Sequence, residues 1–349
     1  MKTNLMKAIP AALVLAGSMG VASNASASAY AISYDNIFNL SVTSTDAAGN
    51  GGPFFVPPSA FSAFNATSES SASQGPLNTP VIGVSSSASG GGPVDAAVAI
   101  APGSAFPGAA PANNDMTAQG QGGVPGYSYA DSQVGSTVLG QNPNGPVFIN
   151  GVDTQAWNIA EGYVDSSGFA AASSRNSSET GFETTFEVGN DARFEFAFDA
   201  DPYLEVAISN DAGVPSTANA ELNVVITITD DSTGATVFAW SPDGQAGGIL
   251  GGTEGSDPFT LNNSIEVSSV GASASYGNAA PSGDIDPAVF GSFAATTDVL
   301  GAGTYTISLD MSSLINVTTS APTLVPQPGV LALMGLGLAG LGFSRRRKA

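Results

Sequence analysis

The chain holds 349 residues, of which 29 are Asp or Glu and only eight are Lys or Arg, and it contains neither histidine nor cysteine. Those absences exclude disulfides, thiolate metal sites, Ser-His-Asp and Cys-His catalysis and the usual imidazole zinc centre, leaving acid–base chemistry to carboxylates. Six of the eight bases lie at the two ends, so the acidic interior keeps Arg175 and Arg193 alone; it cannot neutralise a phosphate backbone, and nucleic acid is excluded as a partner.

Residues 1–29 have the layout of a secretory signal peptide. Lys2 and Lys7 give a positive start, and the apolar stretch Ala8 to Val21 is broken only by Pro10, Gly17, Ser18 and Gly20. That stretch is shorter than the ~20 residues a spanning helix needs, so a removable signal handed to the secretion translocon is expected ahead of a retained membrane helix. Small residues three and one before the cut occur in Ala25-Ser26-Ala27 and again in Ala27-Ser28-Ala29. Cleavage after Ala27 starts the mature chain at Ser28, and cleavage after Ala29 starts it at Tyr30.

The exported body is expected over residues 30–325. Its first strand is signalled by Ile32, Tyr34, Phe38, Leu40 and Val42 on alternate positions. Residues 46–136 are dominated by Gly, Ala, Ser, Pro and Asn and read as a low-complexity, loop-rich insert. Val81 to Val84 and Val94 to Ile100 leave open short strands decorated by long loops.

From Ser178 onward the alternation is strict. Phe182, Phe186 and Val188 face one way while Glu183, Thr185 and Glu187 face the other. Phe194, Phe196 and Phe198 share a face, and a corner at Asp199-Ala200-Asp201-Pro202 precedes Leu204, Val206 and Ile208. Leu222, Val224, Ile226 and Ile228 form another row. Asp230 to Gly234 supplies turn chemistry before Thr236 to Trp240, predicting a hairpin. Tyr305, Ile307, Leu309 and Met311 make the last strong strand. Many antiparallel-looking strands without an amphipathic helix predict an all-β body, an antiparallel sandwich of jelly-roll or immunoglobulin-like type. Helices are expected to be few, with one in the signal and one in the tail.

Few residues in this body stand out as a site. Asp199 and Asp201 with Asn210 and Asp211, Asp230 and Asp231 with Asp243, or Asp284 and Asp286 offer oxygens of the kind calcium takes, though none has the spacing of a known calcium loop. Asp residues more commonly cap turns by accepting from nearby amides. Trp157, Trp240 and Tyr203 are candidates for stacking on sugar rings, with core packing as the plainer reading. Arg193 beside Glu195 reads as a surface charge pair. No catalytic residue and no cofactor is assigned.

At the far end, Pro326-Gln327-Pro328 breaks regular structure, residues 329–343 run without a charge, and Arg345, Arg346, Arg347 and Lys348 follow Ser344. Basic residues beside an apolar helix are held on the cytoplasmic side, so the body would lie outside the inner membrane. At ~1.5 Å per residue the apolar helix reaches about 22 Å against ~30 Å of hydrocarbon, which suits a transient stop.

This tail, residues 326–349, resembles the PEP-CTERM sorting signal. The resemblance implies processing by an exosortase-type membrane enzyme of Gram-negative bacteria that make exopolysaccharide. Gln327 stands where the family pattern has a glutamate, keeping the shape and an acceptor oxygen without the charge. Phe182 to Leu204, with Phe198-Asp199-Ala200-Asp201-Pro202-Tyr203-Leu204, is similar to the EDSAP type of such proteins, which implies no activity. The expected function is a non-enzymatic surface or matrix protein associated with a biofilm and its extracellular polysaccharide. The alternatives are a carbohydrate-binding sandwich, calcium-assisted or not, and a glycan hydrolase built on two acids.

Overall fold

Alternation of apolar and polar side chains organises this chain, and in the computed structural model it yields two antiparallel sheets with facing inner surfaces. The structure describes residues 26–48, 55–56, 63–75, 82–89, 94–100, 128–136, 140–141, 147–150, 155–167, 171–209, 215–277 and 291–320. They belong to the compact unit Ser26–Ala321; the expected signal helix and apolar tail lie outside them. Among the described residues there is no helix, hence none long and apolar enough to cross a membrane.

Strands are numbered in chain order. The larger sheet contains β1 (Ser26–Asp46), β5 (Val94–Ile100), β6 (Ser128–Ser136), β7 (Gly140–Gln141), β8 (Val147–Asn150), β9 (Gln155–Ser167), β11 (Ala192–Ala200), β12 (Tyr203–Ile208), β15 (Gly252–Ser256), β17 (Ser273–Gly277) and β18 (Gly291–Thr297). The smaller contains β2 (Phe55–Val56), β3 (Ala63–Gly75), β4 (Ile82–Ser89), β10 (Ala171–Val188), β13 (Ser216–Asp230), β14 (Ala235–Trp240), β16 (Asn263–Val267) and β19 (Gly303–Thr319). Along the larger sheet the order is β15-β18-β11-β1-β9-β6-β5, with β12 also beside β1; along the smaller it is β14-β13-β19-β10-β3-β4. The first strand and the last therefore each occupy the middle of a sheet.

The core sits between the sheets and takes its bulk from the rows that alternation predicts. Leu222, Val224, Ile226 and Ile228 of β13 and Ile307, Leu309 and Met311 of β19 are buried, facing Phe194, Phe196 and Phe198 of β11. Phe198 stacks on Phe293 with centroids 5.1 Å apart, and Phe196 on Phe238 at 5.2 Å. Burying each such ring contributes on the order of 2–3 kcal/mol.

Two features depart from the sequence reading. The apolar residues of β1 do not share one face, because Asn39 has φ +54° and the register against β11 slips between Phe38 and Ser41. One extra residue reverses every later side chain. Leu40 and Val42 consequently enter the inter-sheet core with Ala29, Ala31 and Ile37, whereas Ile32 joins Tyr30, Ile159 and Tyr203 in a separate cluster, with Tyr34 and Tyr163 packed against it.

The second departure lies in the insert at 46–136, which contributes strands to both sheets. β4 and β5 fall on the two short strands left open above. β3, however, has the sequence AFNATSESSASQG and almost no apolar pattern. Its ladder to β10 runs from Ala63 opposite Glu183 to Gly75 opposite Ala171, and backbone pairing of that kind needs no particular side chain.

Candidate functional site

Of the carboxylates singled out for calcium, Asp199, Asp230, Asp231 and Asp243 accept hydrogen bonds within the β framework, each in its own place. Asp199, at the end of β11, accepts from Ser292 Oγ at 2.6 Å through Oδ1 and from Asn39 Nδ2 at 3.2 Å through Oδ2. It thus ties the β1 bulge to β18. Asp201 follows at the corner, where its backbone N–H donates to Asn36 O at 2.9 Å. Its Oδ1 is buried without a hydrogen-bond partner, and burial pushes its pKa from 3.8 up to about 6.

Asp230 and Asp231 lie on the other sheet, in the β13–β14 turn. The Ser232 amide and hydroxyl donate to Asp230 Oδ1 at 2.8 and 2.7 Å, and these bonds hold the carboxyl below its ordinary value. Thr306 Oγ1 donates to Asp231 Oδ1 at 2.8 Å. Asp243 Oδ1 accepts from the Gln245 amide at 2.8 Å. No group of three acids with metal-holding geometry occurs among the described residues. Asn210, Asp211, Asp284 and Asp286 lie outside them.

The rings considered as sugar platforms are packing residues wherever they are described. Trp240 is 1% exposed and tilts against Phe198 at 5.6 Å, while its Nε1 donates to Glu254 Oε1 at 2.8 Å. Tyr203 is buried and its hydroxyl donates to Glu205 Oε2 at 2.7 Å. Trp157 lies opposite Asn36 in the β1–β9 ladder, and its side chain lies outside the described residues. Arg193 and Glu195 are exposed on the outward face of β11.

A buried polar pair escaped the sequence reading. Asp35 and Asn158 stand opposite each other in the β1–β9 ladder, and both are 0% exposed. They occupy inward slots, since Ala31 and Ile37 of the same phase line the core. Neither Asp35 oxygen and neither Asn158 amide atom has a hydrogen-bond partner. Burial is the main force raising the Asp35 carboxyl from 3.8 to about 7, and the negative charge of Asp201 adds to it; the nearby Asn36 amide pulls the other way without reaching hydrogen-bond geometry. Ser33, two positions earlier, spans the sandwich by donating Oγ to Glu221 O at 2.7 Å. The alternation Ala29, Ala31, Ser33, Asp35, Ile37 was the available signal. It was hidden by reading the strand on its even-numbered phase.

Pro326, Gln327, Pro328, Arg345, Arg346, Arg347 and Lys348 lie outside the described residues, and here comparison with known proteins is informative. The family model described as the PEP-CTERM protein-sorting motif matches residues 324–348. The chain therefore carries this sorting motif at its C-terminal end, glutamine at 327 included, as an exported protein processed by an exosortase-type enzyme on its way to the cell surface. No curated protein matches the chain. Among solved structures, that of the Gt strain of infectious bursal disease virus is 10% identical over 89% of this chain and 85% of the viral one, with a TM-score of 0.11. The Gx strain gives 10% identity over 91% and 86% with a TM-score of 0.10. Similarities this low carry no argument.

Proposed function

We propose that this is a non-enzymatic protein of the cell surface or extracellular matrix, released into an exopolysaccharide layer once its tail is removed. The sorting motif at residues 324–348, placed directly behind an acidic β body, carries the reading. The body supports it in two ways. Its described Asp candidates are engaged in turns and strand ties or, for Asp201, half-buried at a corner. Its described candidate rings are enclosed. A surplus of exposed carboxylates keeps such a body hydrated and self-repelling among polysaccharide chains, and holds a cloud of counter-ions around it. The EDSAP-like stretch Phe182 to Leu204 makes body and tail one inherited unit in this reading.

Intact mass of the protein recovered from the surface and medium of its native host tests the reading. The expected species lacks both the signal and everything beyond the Pro326 region. Full-length chain retained in the cytoplasm overturns the proposal.

A further inference from the structure

Two cuts satisfy a signal peptidase here, one after Ala27 and one after Ala29, and both lie within the described part of β1. We infer that the signal is removed after Ala27, so that Ser28 becomes the first residue of the mature chain; this rests on the export reading above. Water hydrolyses the Ala27–Ser28 peptide bond, leaving a carboxylate on Ala27 and an amine on Ser28 that takes up a proton.

Ser28 is bonded on both sides among the described residues. Before it, the described pairing of Ser26 and Ala27 is with β9, opposite Ser167 and Ser166. At Ser28 the chain lies opposite Asp165 of β9 and exchanges two bonds with Ser209 just beyond β12: the Ser209 amide donates to Ser28 O at 2.9 Å, and the Ser28 amide to Ser209 Oγ at 3.2 Å. Ala29 then lies between Val164 and Ile208, with its methyl in the inter-sheet core at 1% exposure. A cut after Ala27 spares both bonds to Ser209 and the buried Ala29 methyl.

A cut after Ala29 does more damage. It discards both bonds to Ser209 and a buried methyl, and it places the new ammonium on Tyr30, which is 3% exposed between Ala207 and Tyr163. An ammonium needs water or an opposite charge, and a buried ladder position offers neither. At Ser28, half-exposed at the strand end, the ammonium keeps its water and can donate to Ser209 Oγ as the amide does. The peptidase acts on unfolded chain and reads only small residues. Folding then decides which product persists.

N-terminal sequencing of the exported protein provides the test, with Ser28 the expected start. A start at Tyr30 in a normally exported protein overturns this inference and leaves the export reading standing; an uncut precursor in the cytoplasm overturns both. Ala25→Leu blocks the first cut while sparing the second. This variant is expected either to accumulate as precursor or to yield a Tyr30 form that melts several degrees lower and is recovered at least about twofold less. A Tyr30 form matching the unmodified protein in yield and melting temperature overturns the inference.

Discussion

Asp35 is wholly enclosed, its carboxyl oxygens have no hydrogen-bond partner, and its pKa stands at about 7. Because that value lies above the ordinary 3.8, the folded state holds its proton more tightly than the unfolded chain. The resulting stability is fully present below the ordinary value and is lost as pH rises through about 7. Asp201, raised to about 6, acts in the same sense. Denaturant unfolding is thus expected to show a more stable protein at pH 5 than at pH 8. Asp35→Asn, which removes the charge and keeps the shape, should raise stability at pH 8 by on the order of 1–3 kcal/mol and flatten that dependence. An unchanged pH profile in the variant would show that Asp35 is not the group responsible. In the sequence Asp35 is one acid among 29, and only the odd-numbered phase of its strand hints that it is enclosed. Burial of a polar residue depends on which face a strand presents, and that is settled by its partners.

Alternation made the long core strands legible, above all β11, β13 and β19, because each buries one face along its length. Leu222→Ala, in the middle of such a face, is expected to cost about 2–5 kcal/mol, measured as a shift in the unfolding midpoint. Where the face changes within a strand, periodicity fails. The β1 bulge carries no glycine to announce it; Asn39 supplies the left-handed conformation and binds Asp199 at 3.2 Å. Asn39→Gly keeps that backbone while losing the side-chain bond, whereas Asn39→Val forces a branched residue into it. Valine should therefore be the more destabilising by roughly 1–2 kcal/mol, and equal melting temperatures for the two variants would refute the assignment of strain. β3 was illegible for a different reason, since its serines and alanines are held by the ladder to β10 rather than by an apolar row.

For the molecule as a whole, the most legible part was the tail, whose message lies in the linear order of two prolines, an apolar run and a basic cluster and needs no fold to be read. Replacing Arg345, Arg346, Arg347 and Lys348 by serine removes the charges that resist translocation; uncut chain is then expected in the medium, detected by its mass. Gln327→Glu restores the family's acid and should speed loss of the tail in a pulse-chase experiment. The placement of β19 adds a matter of timing. This strand joins β13 to β10 in the middle of the smaller sheet, and the last described backbone bond after it, Ser320 N to Pro215 O at 2.9 Å, falls four residues before the matched motif. A chain threaded from its N-terminus cannot close that sheet until residue 319 has emerged, by which point the apolar run is entering the channel. On the proposed export reading, completion of the body and arrest of the tail would coincide, and the pore would open onto a sandwich that finishes folding while still on its leash.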